Sequence, residues 1–426
     1  MSTSVRPTSR RPHPRRTNPA DHAARSAIFA LLDRIQQGRI TVEDPIGTRT
    51  FGPPDSNLAV TVAVPAIATY RAVLLRGSAG MGEAYVDGWW DCDDLPTLVR
   101  ILARNLPRLD RVRNGIDRFV SPATDLVRRL RPEDPHRDRL NISAHYDLGN
   151  EFFELFLDDT MMYSSAWFAD PADTLADAST AKLERICAKL DLGPDDHVVE
   201  IGTGWGGFAV HAAREHGCRV TTTTISAEQE HHARRRVAAE GLDHLVTVLG
   251  DDYRDLAGTY DALVSIEMIE AVDWREHDRF FATCGQLLRP GGRMALQAIV
   301  LPDQRYERAK TTQDFIKRYV FPGGCLPSVE AMVRSTARST DLALTGLEDM
   351  GQHYALTLAR WRERLFKQEA RLGDLEIDEA FLRLWDFYFA YCEGAFAERY
   401  VSVVQATFAR PDWRPAAIAA PTRSGR

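Results

Sequence analysis

The stretch His197-Val-Val-Glu-Ile-Gly-Thr-Gly-Trp-Gly-Gly-Phe208 constrains the fold more than any other. An apolar run ends in Glu200, a loop carries Gly202, Gly204, Gly206 and Gly207 around Trp205, and Phe208 to Gly217 is patterned as a helix. Glycines so placed suit a chain that turns sharply at the carboxyl end of a buried parallel strand. They let the backbone approach a ligand closely and let the helix pack near the strand. Gly202, Gly204 and Gly207 fit the dinucleotide pattern G-x-G-x-x-G, which is weak evidence alone. A dinucleotide fold would usually end its second strand in Asp or Glu, to hold the ribose. Here Cys218 to Ser226 ends in Thr224 and Ser226, with Gln229 opening the next helix. Hydroxyl and amide groups can grip a ribose, but their presence lowers the dehydrogenase reading. The acidic pair Asp251-Asp252, followed by Tyr253, suits an adenine amine.

Further strands are expected over Leu245–Leu249, Tyr260–Glu267 and Leu287–Val300, the last opened by a Pro-Gly-Gly turn. Strands alternating with helices predict an α/β fold whose mostly parallel sheet binds ligands at the carboxyl strand ends. At 426 residues the chain has room for two or more domains. Its 44% hydrophobic and 27% charged residues and net charge of -7 are ordinary for a soluble protein. The apolar stretch Leu58–Ala68 is too short to span a bilayer. No secretory signal is expected, and the six cysteines lack metal-ligand spacing, so a reduced, cytoplasmic protein without a bound metal is expected.

Residues 1–20 hold five arginines, four prolines and no acid, the composition of a disordered basic arm suited equally to a membrane surface or to nucleic acid. Residues 21–104 read as a small α+β domain whose Trp89-Trp90 pair and Tyr85 suit either its core or a lipid-facing or interdomain surface. Residues 105–140 form a basic linker; Arg104 to Arg139 carries ten arginines against six acids. Anionic phospholipid attracts such a segment by about 1 kcal/mol per basic residue. The rest divides into a catalytic domain over 141–410 and a flexible tail over 411–426.

His145-Tyr-Asp147, Tyr163-Ser164, Glu200 to Gly206, Thr224 to Gln229, Tyr253-Arg-Asp255, Phe321 to Ser328 and Tyr391-Cys392 together resemble the cyclopropane-fatty-acid synthase family, which includes the mycolic-acid cyclopropane synthases. The resemblance implies a class I S-adenosylmethionine-dependent methyltransferase with a Rossmann-like seven-stranded sheet and helical insertions enclosing an acyl channel. It implies methyl transfer to a cis double bond of a phospholipid acyl chain, leaving a carbocation. Tyr163, Ser164, Glu200, Gly202, Gly204, Trp205, Gly206, Thr224, Ser226, Gln229, Asp252 and Tyr253 are then candidate donor contacts. Catalytic candidates are Glu270, Tyr354, Tyr146, Ser165, Gln297 and Ile299.

In the family a bicarbonate takes the proton from the new methyl as a cyclopropane closes. Its Cys, Glu, His, Ile and Tyr ligands fall on Ser165, Glu270, Gln297, Ile299 and Tyr354, and a neighbouring histidine falls on Ala271. Ser165 and Gln297 still carry hydrogen-bond donors, so bicarbonate or another small anion near Glu270 remains compatible. The departures, with Glu-Met-Ile-Glu-Ala-Val and Leu-Gln-Ala-Ile, resemble the branch making 10-methylene chains, the precursors of tuberculostearic-type lipids. A reductase that finished a methyl branch would be a separate protein, since the sequence carries no second nucleotide fingerprint. The basic stretch suits a peripheral position on the inner membrane face, bacterial relatives suggest a dimer through the N-terminal domain, and no nucleic-acid partner is expected. The alternatives are a cyclopropane synthase on the same substrate, a small-molecule or RNA methyltransferase, and an inactive lipid-binding module. Glu270 could instead be a capping or ion-paired carboxylate, and Tyr354 core packing.

Overall fold

The computed structural model describes residues 18–106, 149–375 and 377–415. Residues 1–17 of the basic arm, most of the basic linker, Tyr146 and the end of the tail lie outside the described residues, and Pro19 and Ala20 open the first helix.

The N-terminal elements are a helix Pro19–Leu32, strands β1 (Arg39–Asp44), β2 (Gly47–Phe51) and β3 (Ala59–Ala63), a helix Ala68–Val86, the short β4 (Asp91–Cys92) and a helix over 95–106. The strands order as β2-β1-β3-β4, with β1 and β3 parallel. The sequence places a helix over Ile67–Arg76; the structure carries it on to Val86 through a kink at Gly77, whose φ of 56° only glycine adopts easily.

The larger sheet holds β5 (His197–Ile201), β6 (Arg219–Thr223), β7 (Val246–Leu249), β8 (Tyr260–Ile266), β9 (Leu288–Val300), β10 (Ala343–Asp349) and β11 (Ser402–Ala409). Their order is β10-β11-β9-β8-β5-β6-β7, and only β11 pairs antiparallel to its neighbours. This is the methyltransferase sheet expected from the sequence. From β5 the chain adds β6 and β7 on one side and β8 and β9 on the other, so the crevice at the carboxyl ends of β5 and β8 is the topological switch point.

Helices Gly351–Phe366 and Glu379–Ala397 lie between β10 and β11 in the chain. Their apolar faces share one core with the N-terminal elements: Phe387, Trp385, Trp361 and Phe156 pack with Tyr85, Trp90 and Phe315. Trp90, only 2% exposed, stands 5.1 Å from the Tyr85 ring and 6.4 Å from Phe387. The tryptophan therefore belongs both to the small sheet's core and to its seam with Glu379–Ala397. Arg383 fastens that seam, donating to the carbonyls of Tyr85 at 2.6 Å and Trp90 at 3.1 Å.

Candidate active site

Tight backbone geometry shapes the glycine loop. Gly202, Gly204 and Gly206 have φ of 100°, 51° and 83°, in the left-handed region. Gly207 opens the helix Gly207–His216, and a Cβ there would lie 2.6 Å from the Met162 sulfur and 2.7 Å from the Thr160 carbonyl oxygen. A Cβ on Gly204 would meet nothing within 4 Å, so the bare backbone there leaves a cradle suited to a nucleoside. Trp205 donates to the Asn150 Oδ1 at 2.7 Å, and its ring centroid lies 4.9 Å from that of Phe153.

Several expected donor contacts are engaged with one another. Thr222 donates to Glu200 at 2.6 Å, and burial pushes the Glu200 carboxyl up to about 8. Beside it is a residue missed in the sequence, Lys182, fully buried and donating to Ser164 Oγ at 3.0 Å. Burial lowers its ammonium to about 8 against the pull of Glu267, Asp158 and Glu200. Tyr163 meets Tyr388 hydroxyl to hydroxyl at 3.0 Å. Ser226 caps the helix Ala227–Ala239 by accepting from the Gln229 amide N–H, while Thr224 donates to the Gln229 side chain at 2.9 Å. The Asp252 carboxylate accepts from Arg254, through its backbone at 2.9 Å and guanidinium at 2.8 and 2.5 Å. Tyr253 is half-buried, its ring 5.6 Å from Phe280.

At the carboxyl end of β8, Ser165, Gln297 and Tyr354 converge on Glu267, three residues before the nominated Glu270. The Ser165 backbone N–H donates to Glu267 Oε1 at 2.9 Å, Gln297 Nε2 to the same oxygen at 2.7 Å, and the Tyr354 hydroxyl to Oε2 at 2.8 Å. The Ser165 hydroxyl turns away, to the Ala166 carbonyl at 3.0 Å. Gln297 is fixed further by Gln405, which donates to its Oε1 at 3.0 Å. Burial raises the Glu267 carboxyl, while the three donors and Lys182 favour its ionised form. Glu267 has a φ of 51°, a left-handed conformation that is uncommon off glycine and turns its side chain into the site. The only hint in the sequence is a second acid three residues before Glu270.

Ile299 does fall at the site, its N–H donating to Glu270 Oε1 at 2.5 Å. Glu270 Oε2 is buried and, among the described residues, has no hydrogen-bond partner. Burial and the neighbouring Glu267 push the Glu270 carboxyl up to about 8. The two adjacent carboxyls thus differ in their surroundings: three donors face Glu267, whereas one Glu270 oxygen has no partner among the described residues. The loop Phe321–Ser328 rests against them, Cys325 N–H donating to the Glu270 carbonyl at 2.7 Å. His353 accepts from the Phe168 N–H at 3.1 Å and lies against Trp167, so its place is structural. Next to Tyr354, whose ring centroid lies 6.0 Å from that of Trp361, Phe153, Phe156, Tyr163, Trp361 and Tyr388 belong to one aromatic cluster of the core. Apart from this cleft, Cys187, His211 and His216 come together although their sequence spacing did not suggest it, with Glu184 bonded to both histidines.

The Mycolic acid cyclopropane synthetase family model matches residues 133–406. Tuberculostearic acid methyltransferase UfaA1 of Mycobacterium tuberculosis is 41% identical over 80% of this chain and 81% of its own. The cyclopropane-fatty-acyl-phospholipid synthase of Escherichia coli is 36% identical over 80% of this chain and 85% of its own. Among solved structures, mycolic acid cyclopropane synthase CmaA1 in complex with SAH and CTAB superposes with a TM-score of 0.58 at 30% identity, over 65% of this chain and 99% of that one. S-adenosylmethionine is accordingly the co-substrate of this chain, and the glycine cradle fits it. With the seven-stranded sheet, the cradle and the buried carboxyl pair in place, these likenesses establish that the chain belongs to the mycolic acid cyclopropane synthetase family.

Proposed function

We propose that the protein methylates the cis double bond of an unsaturated fatty-acyl chain in phospholipid and releases a 10-methylene-branched chain. The observation that carries this reading is the neutral amide of Gln297, locked between Glu267 and Gln405 where the sequence resemblance has a histidine. The alkene π pair bonds to the sulfonium methyl, and the C–S pair stays on sulfur. The cation left on the neighbouring carbon needs no activated nucleophile, only orientation, negative charge nearby and an acceptor for one proton. A hydride shift brings the cation to the methyl-bearing carbon. Loss of a methyl proton then makes an exocyclic double bond.

The aromatic cluster next to Tyr354 suits an acyl chain, and ring faces stabilise a passing cation. Among the described residues no helix is long and apolar enough to cross a membrane. The basic stretch Arg104 to Arg139 favours peripheral access to anionic phospholipid. A homodimer through the N-terminal elements and a separate reductase acting on the methylene product complete the reading.

Expression in a bacterium with an oleoyl-rich membrane, followed by mass spectrometry that localises double bonds, tests it. A methylene branch is expected; a cyclopropane as sole product overturns the branch assignment in favour of a cyclopropane synthase. Unaltered lipids despite donor binding overturn the substrate class.

A further inference from the structure

Resting on that reading, we infer that Glu267 is the proton acceptor of the reaction, a carboxylate built into the chain where a dissolved anion was expected. The donors nominated from sequence to hold an anion converge instead on a carboxyl side chain. Ser165 and Gln297 saturate Oε1, and Tyr354 takes one position on Oε2. Each carboxylate oxygen accepts at about two lone-pair positions, so Oε2 keeps one for an incoming proton. The left-handed backbone at Glu267 is strain that the surrounding contacts hold in place, as at residues fixed for chemistry. Ile299 N–H, nominated with the same set, is taken by Glu270, so none of the nominated donors points at a vacant anion.

The step balances without a co-reactant. A C–H bond of the added methyl breaks, its pair forms the exocyclic C=C bond, and Glu267 Oε2 takes the proton. The carboxylic acid returns its proton to solvent after product leaves. Placing a fixed carboxylate here also disfavours ring closure, because the donors hold it in one position rather than letting it follow the cation.

The experiment uses full-length protein, S-adenosylmethionine and vesicles of dioleoyl phosphatidylglycerol, in carbonate-free buffer with and without added bicarbonate or formate. Wild-type turnover is expected to be indifferent to bicarbonate. Glu267→Ala, which frees three donors and a carboxylate-sized space, should lose about 100-fold or more and regain turnover saturably with formate or bicarbonate. Glu267→Gln keeps the shape and one acceptor oxygen but accepts no proton, so it should lose as much and show no rescue. Donor binding by calorimetry verifies that each variant is folded; if Glu267→Ala is not, the Gln variant alone decides. A bicarbonate requirement in the wild type, or a Gln variant with more than about a tenth of normal turnover, overturns the inference. Wild-type protein that binds the donor yet methylates no vesicle lipid overturns the substrate reading, and this inference with it.

Discussion

Tyr354 is the one donor on Glu267 that can be removed without touching a strand, since it rises from the helix Gly351–Phe366 and stacks on Phe396 at 4.4 Å. Tyr354→Phe keeps the stacking and deletes the bond. Losing a donor to the ionised form raises the Glu267 carboxyl further, so the acidic limb of the pH–rate profile should move to higher pH, with turnover at neutral pH falling about ten-fold. A variant whose limb stays put would separate the hydroxyl from Glu267's ionisation. At this scale the sequence names the participants well: Ser165, Gln297, Ile299 and Tyr354 all fall at one site. It does not name Glu267, because the acceptor's identity depends on a left-handed backbone that no residue pattern announces. Nor does it show that Thr224, Ser226, Gln229 and Asp252 are bonded to near neighbours, since those bonds follow from how the strand ends are capped.

Among elements, the glycine loop is held from outside as well as by its own turns. Met162 and Thr160 close over Gly207, so Gly207→Ala must displace backbone as well as a flexible side chain. The expected cost is about 1–3 kcal/mol of stability, together with weaker donor binding, read from denaturant midpoints and calorimetry. An alanine variant with unaltered affinity would show that the loop yields without disturbing the cradle. The strands of the large sheet are legible because each is a short apolar run between turns, and β5 to β9 fall where the pattern puts them. The pattern says less about the helix Ala68–Val86, whose two halves meet at Gly77 and of which the spacing gives only the first. There the tertiary setting decides: Glu83, Tyr85 and Val86 are buried against the rest of the molecule rather than left in a connection.

For the molecule as a whole, the aromatic core beneath the cleft is continuous with the N-terminal sheet, so the two regions support each other. Arg383→Met would remove the guanidinium from the Tyr85 and Trp90 carbonyls, the former keeping the Gly88 N–H, with most of the packing volume kept. It should lower stability by about 2 kcal/mol with donor affinity unaltered. A large loss of affinity would mean that the seam reaches the donor cradle. The cleft's charges carry a consequence of another kind. Glu200 and Glu270, each near 8, are mostly protonated at neutral pH, and Lys182, also near 8, supplies a buried positive charge against Glu267. A sulfonium entering this enclosure favours the ionised carboxylates, so its arrival should expel protons near pH 7, whereas the demethylated, uncharged thioether should expel few. Calorimetric titration in buffers of differing ionisation enthalpy reads that difference directly. The cleft is in this sense a proton-exchanging balance, able to tell a charged donor from a spent one by what it gives up to the solvent.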